Sequence, residues 1–288
     1  MGLIHKIYIM EKYSSSRRKF IRNTILAGGT GLLGGKALLA SPSPGYSYSD
    51  LPTLKGKKVL FVYGGWEGHD PEPSRDLFVP WMRDEGADVT VSDTLDAYLD
   101  EALMSSLDLV VQVWTMGEIT GDQENGLLNA VKNGCGIAGW HGGLGDSFRN
   151  NVKYQYMVGG QWVAHPGGII DYRVNIIDQV DYVSVGIGDF NMNSEQYYMH
   201  VDPNVKVLAT TTFTGDHDPW IEGTVIPQVW KKYYGNGRVF YSALGHVIGD
   251  FEVYEALEIQ KRGIRWASES KYHPHEHWLS PVYQQIPV

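Results

Sequence analysis

The stretch Gly139-Trp140-His141-Gly142-Gly143 has the Gly-x-Nuc-x-Gly spacing of a nucleophile elbow, with a histidine where the nucleophile would stand. Such an elbow holds one side chain on a tight strand-to-helix turn above the end of a sheet strand, and its glycines remove Cβ clashes. A serine or cysteine there would signal acyl transfer. Imidazole instead binds a metal or moves a proton. Three other segments carry comparable residues at what read as strand ends: Gly64-Gly65-Trp66-Glu67-Gly68-His69-Asp70, Asn193-Ser194-Glu195-Gln196-Tyr197-Tyr198 and Leu244-Gly245-His246. In a doubly wound sheet, ligands sit beyond the carboxyl ends of the strands near the switch in strand order. The four segments are therefore expected to converge.

His69, His141 and His246 are the candidate ligands of a divalent metal, zinc first, with an open position for water or substrate. The same three histidines can instead act as metal-free catalytic groups, and Glu195 is the candidate base or acid. No short fixed spacing links the histidines, so their meeting depends on the fold. Trp66, Trp140 and Tyr197 are candidate stacking faces for a sugar ring. His165, in Trp162-Val163-Ala164-His165-Pro166, is a substrate contact or a structural hydrogen-bonding residue. His217, between Asp216 and Asp218, reads as a polar loop, and the alternating His273, His275 and His277 as an exposed tail. Cys135 reads as a buried structural thiol. The glycine-rich run Gly28–Gly35 belongs to the leader and Gly64-Gly65 lacks the full G-x-G-x-x-G spacing, so no nucleotide cofactor is expected.

The elements that must position these residues follow from periodicity. Val59–Tyr63, Asp88–Val91, Leu109–Trp114 and Gly136–Trp140 read as strands; Pro73–Glu85, Leu95–Ser106 and Asp122–Lys132 read as the helices between them. That alternation predicts right-handed βαβ units and a flavodoxin-like parallel sheet flanked by helices. After Gly143 the pattern changes to Ile169–Ile177, Val205–Phe213, and Pro227–Tyr233 paired with Arg238–Ser242, an antiparallel extension. Asn236-Gly237 is a two-residue hairpin signal. An amphipathic helix over Phe251–Ala267 closes the fold, which is α/β throughout.

The chain has 288 residues and a net charge of −9. Residues 1–40 hold seven basic residues against Glu11 alone, so the remainder carries −15. A body this acidic repels phosphate, which argues against nucleic acid and anionic membrane as partners. Ser16-Arg17-Arg18-Lys19-Phe20-Ile21 resembles the twin-arginine export motif, and export to the periplasm or outside the cell is expected. The Gly-rich run Ile25–Ala40, interrupted by Lys36, is too weak for a stable membrane span. The expected organisation is a signal segment at 1–40, a Ser/Pro/Tyr-rich linker at 41–56, one α/β domain at 57–270 and a tail at 271–288. A single cysteine excludes an intramolecular disulfide. Homo-oligomerisation stays open.

Gly-Gly-Trp-x-Gly-His-Asp-Pro at 64–71, Trp-His-Gly-Gly at 140–143, Glu-Gln-Tyr-Tyr at 195–198 and Gly-Arg-Val-Phe-Tyr-x-x-Leu-Gly-His at 237–246 together resemble the ThuA (trehalose-utilisation) family over about residues 57–268. The resemblance implies a fold like that of class I glutamine amidotransferases. His141 then takes the place of the amidotransferase cysteine, His246 approximates the triad histidine, and glutaminase activity is not expected. The resemblance also implies a small carbohydrate substrate, a glycoside oxidised at C3. A C3 ketone acidifies the C2 hydrogen, so a base and an electrophile suffice for elimination, hydrolysis or isomerisation. Two rival readings remain: a non-catalytic carbohydrate-binding protein on the same scaffold, and a hydrolase using Cys135.

Overall fold

The computed structural model describes residues 52–278. The expected signal segment at 1–40, linker residues 41–51 and tail residues 279–288 lie outside these. Among the described residues, no helix is long and apolar enough to cross a membrane.

The first four strands are β1 (Lys58–Gly65), β2 (Asp88–Ser92), β3 (Leu109–Thr115) and β4 (Gly136–Trp140). They are joined by α1 (Pro71–Asp84), α2 (Glu101–Ser106) and α3 (Gly121–Lys132). Two short helices follow, α4 (Gly142–Gly145) and α5 (Val152–Val158). Next come β5 (Gly160–Ala164), β6 (Ile169–Ile176), β7 (Phe190–Glu195), β8 (Tyr198–Val201), β9 (Lys206–Thr212), β10 (Val225–Tyr234) and β11 (Gly237–Ser242), and α6 (Tyr254–Ala267) ends the fold. Nine strands form one sheet in the order β2-β1-β3-β4-β11-β10-β9-β6-β7, while β5 and β8 form a separate antiparallel ribbon. The pairs from β2 through β11 are parallel and those from β11 through β7 antiparallel. The expected α/β class, parallel core and antiparallel extension are all present.

Period-2 alternation explains why the parallel strands read as continuous apolar runs. Val59 and Phe61 join the core with Phe78 and Met82 of α1 and Ile264 and Trp266 of α6. Leu60 and Val62 face the other layer, with Tyr98, Met104 and Leu127. Both faces are covered, as parallel sheets require. Each such large side chain contributes roughly 1.5–3 kcal/mol by leaving water.

Several boundaries moved for local reasons. The single helix expected over Leu95–Ser106 is broken at Asp100: Leu95–Leu99 is a 3-10 turn, and the Asp100 carboxylate accepts from Leu103 N–H at 2.9 Å to start α2 afresh. Side-chain caps compete with helix continuation in this way. The hairpin turn is Gly235-Asn236, one residue earlier than expected, with Tyr234 facing Gly237. Gly235 takes φ +60°, which fits a turn needing glycine at its first central position. Residues 271–278 are more than an exposed tail. His273, His275 and His277 are exposed, but Tyr272 donates to Asp108 at 2.9 Å and Glu276 bonds Lys231 Nζ at 2.8 Å, fastening the segment to the domain.

Candidate metal centre

The turn after β4 is what places His141. Its φ and ψ are +46° and −136°, a conformation that costs a non-glycine residue on the order of 1–3 kcal/mol. The surroundings enforce it. His141 N–H donates to Ser242 O at 2.6 Å, and its own carbonyl accepts from Gly145 N–H at 2.9 Å and the Tyr241 hydroxyl at 3.1 Å. A Cβ on Gly142 would overlap the His69 imidazole, so the glycine after the histidine is a condition for the two rings to meet.

His69 ends a 3-10 turn, Glu67–His69, that follows β1. Its Nδ1 is 2.9 Å from Thr115 Oγ1 at the end of β3. Asp70 gives α1 no side-chain cap; its carboxylate instead accepts from Ile248 N–H at 3.1 Å, tying the first loop to the one that carries His246. Glu195 is the last residue of β7 and reaches the cluster from the antiparallel extension. Asp250 links these pieces, since one of its oxygens accepts from Ser194 Oγ at 2.6 Å and from His246 N–H at 2.9 Å.

Three imidazoles converge on one carboxylate oxygen. Glu195 Oε2 lies 3.0 Å from His141 Nε2, 3.3 Å from His246 Nδ1 and 3.9 Å from His69 Nε2. The four side chains each offer a ligand atom, all within 4.8 Å of one another. The ring of His69 stands edge-on to those of His141 and His246, with centroids 4.7 and 5.0 Å away. His165 approaches from the other side, with Nε2 3.7 Å from Glu195 Oε1.

The hydrogen-bond roles show what such a cluster wants. His141 Nδ1 lies 2.8 Å from the Ala243 carbonyl, which can only accept, so the Nδ1 hydrogen is committed there. In the neutral ring, Nε2 then presents a lone pair to a carboxylate oxygen. Two acceptors facing each other require a proton or a cation between them. His246 Nδ1 is within ion-pair range of Glu195 but off the line of a hydrogen bond, and is buried with no hydrogen-bond partner. Burial pushes the His69 imidazole down to about 3, with His141 and His246 adding repulsion, and burial lowers His141 as well. For Glu195, burial acts upward, but the hydrogen bond with His141 and the nearby His141 and His246 imidazoles outweigh it and hold the carboxyl well below the ordinary range. Unprotonated imidazoles and an ionised carboxylate are the ligand states of a divalent metal. Three nitrogens and one oxygen suit zinc, and also manganese or iron.

The structure thus brings together His69, His141, Glu195 and His246. Trp66, 46% exposed and edge-on to His69 at 4.7 Å, stands at the rim with a free face. Two candidate stacking residues are corrected. Trp140 is 1% exposed and packs on Phe78 and Phe251 in the core, because side chains alternate along β4 and it points away from the pocket that His141 enters. Tyr197, also 1% exposed, lies flat under the His141 ring at 3.8 Å, where it supports the imidazole and offers no open face. His217 joins no ligand cluster among the described residues; its ring rests against Gly167. Cys135 sits at the opposite end of β4 from His141, with its thiol pushed up to about 12 by burial, which makes it a poor nucleophile. Thr115 and Asp250 were not foreseen. Thr115 ends a strand at the ligand-bearing edge, which was a usable signal; Asp250 carried none.

Comparison with solved structures agrees with this architecture. A ThuA-like protein from Bacteroides uniformis superposes with a TM-score of 0.63 at 16% identity, covering 78% of this chain and 95% of its own. One from Parabacteroides merdae gives 0.59 at 19% identity, covering 81% and 94%. A cytoplasmic protein from Salmonella typhimurium gives 0.52 at 12% identity, covering 74% and 98%. At these identities the likeness concerns the fold. No curated protein sequence matches the chain. The family model described as "ThuA: Trehalose utilisation" matches residues 58–267, which takes in all four site segments, and the chain belongs to that family.

Proposed function

We propose that this protein is a metal-assisted enzyme acting on glycosides oxidised to a ketone at C3. The observation that carries the reading is the meeting of three imidazole nitrogens and the Glu195 carboxylate within 4.8 Å, with His141 Nε2 aimed at Glu195 and its Nδ1 hydrogen already spent on Ala243. His69, His141, His246 and Glu195 Oε2 would hold the metal. When bound, it supplies an electrophile for the ketone oxygen, stabilising the enolate by several kcal/mol.

The chain's own residues supply the rest. Glu195 Oε1, turned toward His165, takes the C2 proton, and the lowered pKa of Glu195 keeps it in the ionised form that can accept one. The electron pair left at C2 forms the C1=C2 double bond as the C1–oxygen bond breaks, and the departing oxygen takes up a proton. Water adding at C1, with a proton returned to C2, completes net hydrolysis. Trp66 offers its exposed face to the sugar, and Tyr197 keeps the His141 ring in place. Export by the twin-arginine route, with the folded metalloprotein as cargo, is part of the same proposal and rests on residues 16–22.

The test is to replace His141 and His246 separately by Ala, verify folding by circular dichroism, and assay 3-keto-glucosides. Loss of general acid–base and metal assistance should cost at least about 10²-fold in kcat/KM. Near-wild-type turnover in both variants would end the proposal. Sugar binding without turnover in the wild type would instead favour a carbohydrate-binding protein.

A further inference from the structure

Trp220 is 80% exposed, the highest value among the large hydrophobic side chains of the described residues. Its backbone is nevertheless held firmly. It sits in a 3-10 turn, Pro219–Ile221, that begins with a proline and is anchored by Ile221, which is buried. Ile221 N–H donates to Asp218 O at 3.1 Å, and the base of the loop is closed by Phe213 N–H to Thr224 O at 3.0 Å. An indole presented to water on a fixed turn has already lost the backbone entropy that binding would otherwise cost.

Topology places this loop at the mouth of the site. It joins β9 to β10 at the edge where Thr212 faces Val225, and further along β10 Val229 faces Ser242, the residue that starts the run into Leu244-Gly245-His246. Two strand spacings separate β9 from β11, on the order of 10 Å. Within the loop, His217 seats its ring against Gly167, and a Cβ there would overlap it. Gly167 belongs to the turn that carries His165, the residue facing Glu195 Oε1. The loop that carries Trp220 is thus packed against the turn that carries His165.

Resting on the reading above, we propose that Trp220 is a distal subsite that stacks on the second ring of an extended glycoside, on the leaving-group side of the oxidised sugar. The neighbours of the indole fit a sugar better than a protein surface. Asp216, Asp218 and Glu222 belong to the same loop, so hydroxyl acceptors accompany one apolar platform. Protein interfaces instead deplete charge around their aromatic anchors. A second hexose ring reaches such a platform, and a methyl aglycone does not.

The experiment compares wild type, Trp220→Ala and Trp220→Phe on a 3-keto-disaccharide and on methyl 3-keto-glucoside. Trp220→Ala should lower the disaccharide-to-methyl ratio of kcat/KM roughly tenfold, and Phe should restore most of it. An unchanged ratio overturns the proposal. If the wild type turns over neither compound, the oxidised-sugar reading fails on its own. The subsite is then judged by calorimetric binding of the unoxidised disaccharide, which Trp220→Ala should weaken about tenfold and which equal binding would refute. Sedimentation velocity supplies the remaining outcome: conversion of a dimer to monomer by Trp220→Ala would assign the indole to a second copy and overturn the subsite.

Discussion

Among the described residues, one buried polar cluster lies around Lys231 and another around Glu195. Lys231 Nζ is 2.8 Å from both Asp181 and Glu276, and Lys206 Nζ is 2.7 Å from Asp181 and 3.2 Å from Asp178. Each cation there meets two carboxylates, and the cluster ties the 177–189 loop and the segment after α6 to the extension. Around Glu195 the balance is different. Three imidazoles, of which burial lowers His69 and His141, face one carboxylate oxygen, and His246 Nδ1 has no hydrogen-bond partner. The first cluster answers its own charge. The second leaves His246 Nδ1 unanswered and carries the strained backbone of His141, a local cost of the kind found at functional sites.

The comparison breaks most readily through activity. Glu195→Gln should lower turnover of a 3-keto-glucoside by about 10²–10⁴-fold. The variant should stay folded in the metal-free state, with some loss of stability at neutral pH, because a carboxyl held below its ordinary range contributes stability there. Chemical denaturation and steady-state kinetics on one preparation check both halves. A variant that is inactive because it is unfolded would contradict the contrast.

Asp181→Ala is the converse. It leaves Lys231 buried with its cationic charge only partly answered, and should destabilise by about 3–5 kcal/mol while metal binding to the remaining folded protein is unchanged. Urea denaturation and metal titration read these separately. Smaller again is Asp250→Ala, which takes the acceptor from Ser194 and from His246 N–H. Loss of such an orienting partner should weaken metal affinity roughly 10–100-fold, seen as a shift in a competitive chelator titration.

The smallest effect is one of pH. Burial raises the Asp181 carboxyl, but Lys231 and Lys206 outweigh it and hold it below its ordinary value of 3.8. A carboxyl depressed in the folded state contributes stability that is fully present above its unfolded value and lost as pH falls through the folded one. The difference in melting temperature between wild type and Asp181→Asn should therefore be constant from pH 7 to about 5 and shrink below about 3.8. A difference that grows in acid would reverse the sign and refute the pairing.

What the sequence disclosed divides along the same line. The parallel half was legible because its strands are buried on both faces and its candidate site residues sit just past strand ends: His69 after β1, His141 after β4 and His246 after β11. Glycines mark those turns, and Gly142 and Gly65 are close-approach positions that no larger residue could fill. The extension was less readable. β5, β7 and β8 are only four to six residues long, so Glu195 is marked by its neighbours Gln196, Tyr197 and Tyr198 and not by periodicity. Trp140 and Tyr197 misled because an aromatic near a strand end can face the pocket or the core, and a one-residue change of side reverses the outcome. Asp250 acts through backbone and hydroxyl donors four and 56 residues away, which no spacing rule reveals.

The central claim is that the Glu195 cluster is a metal site, and metal analysis tests it most directly. Purified protein, stripped with a chelator and titrated with zinc or manganese in a calorimeter, should take up one equivalent, and His141→Ala should abolish or severely weaken that uptake. Wild-type protein that binds no divalent metal, or a His141→Ala variant that binds as the wild type does, would contradict the account.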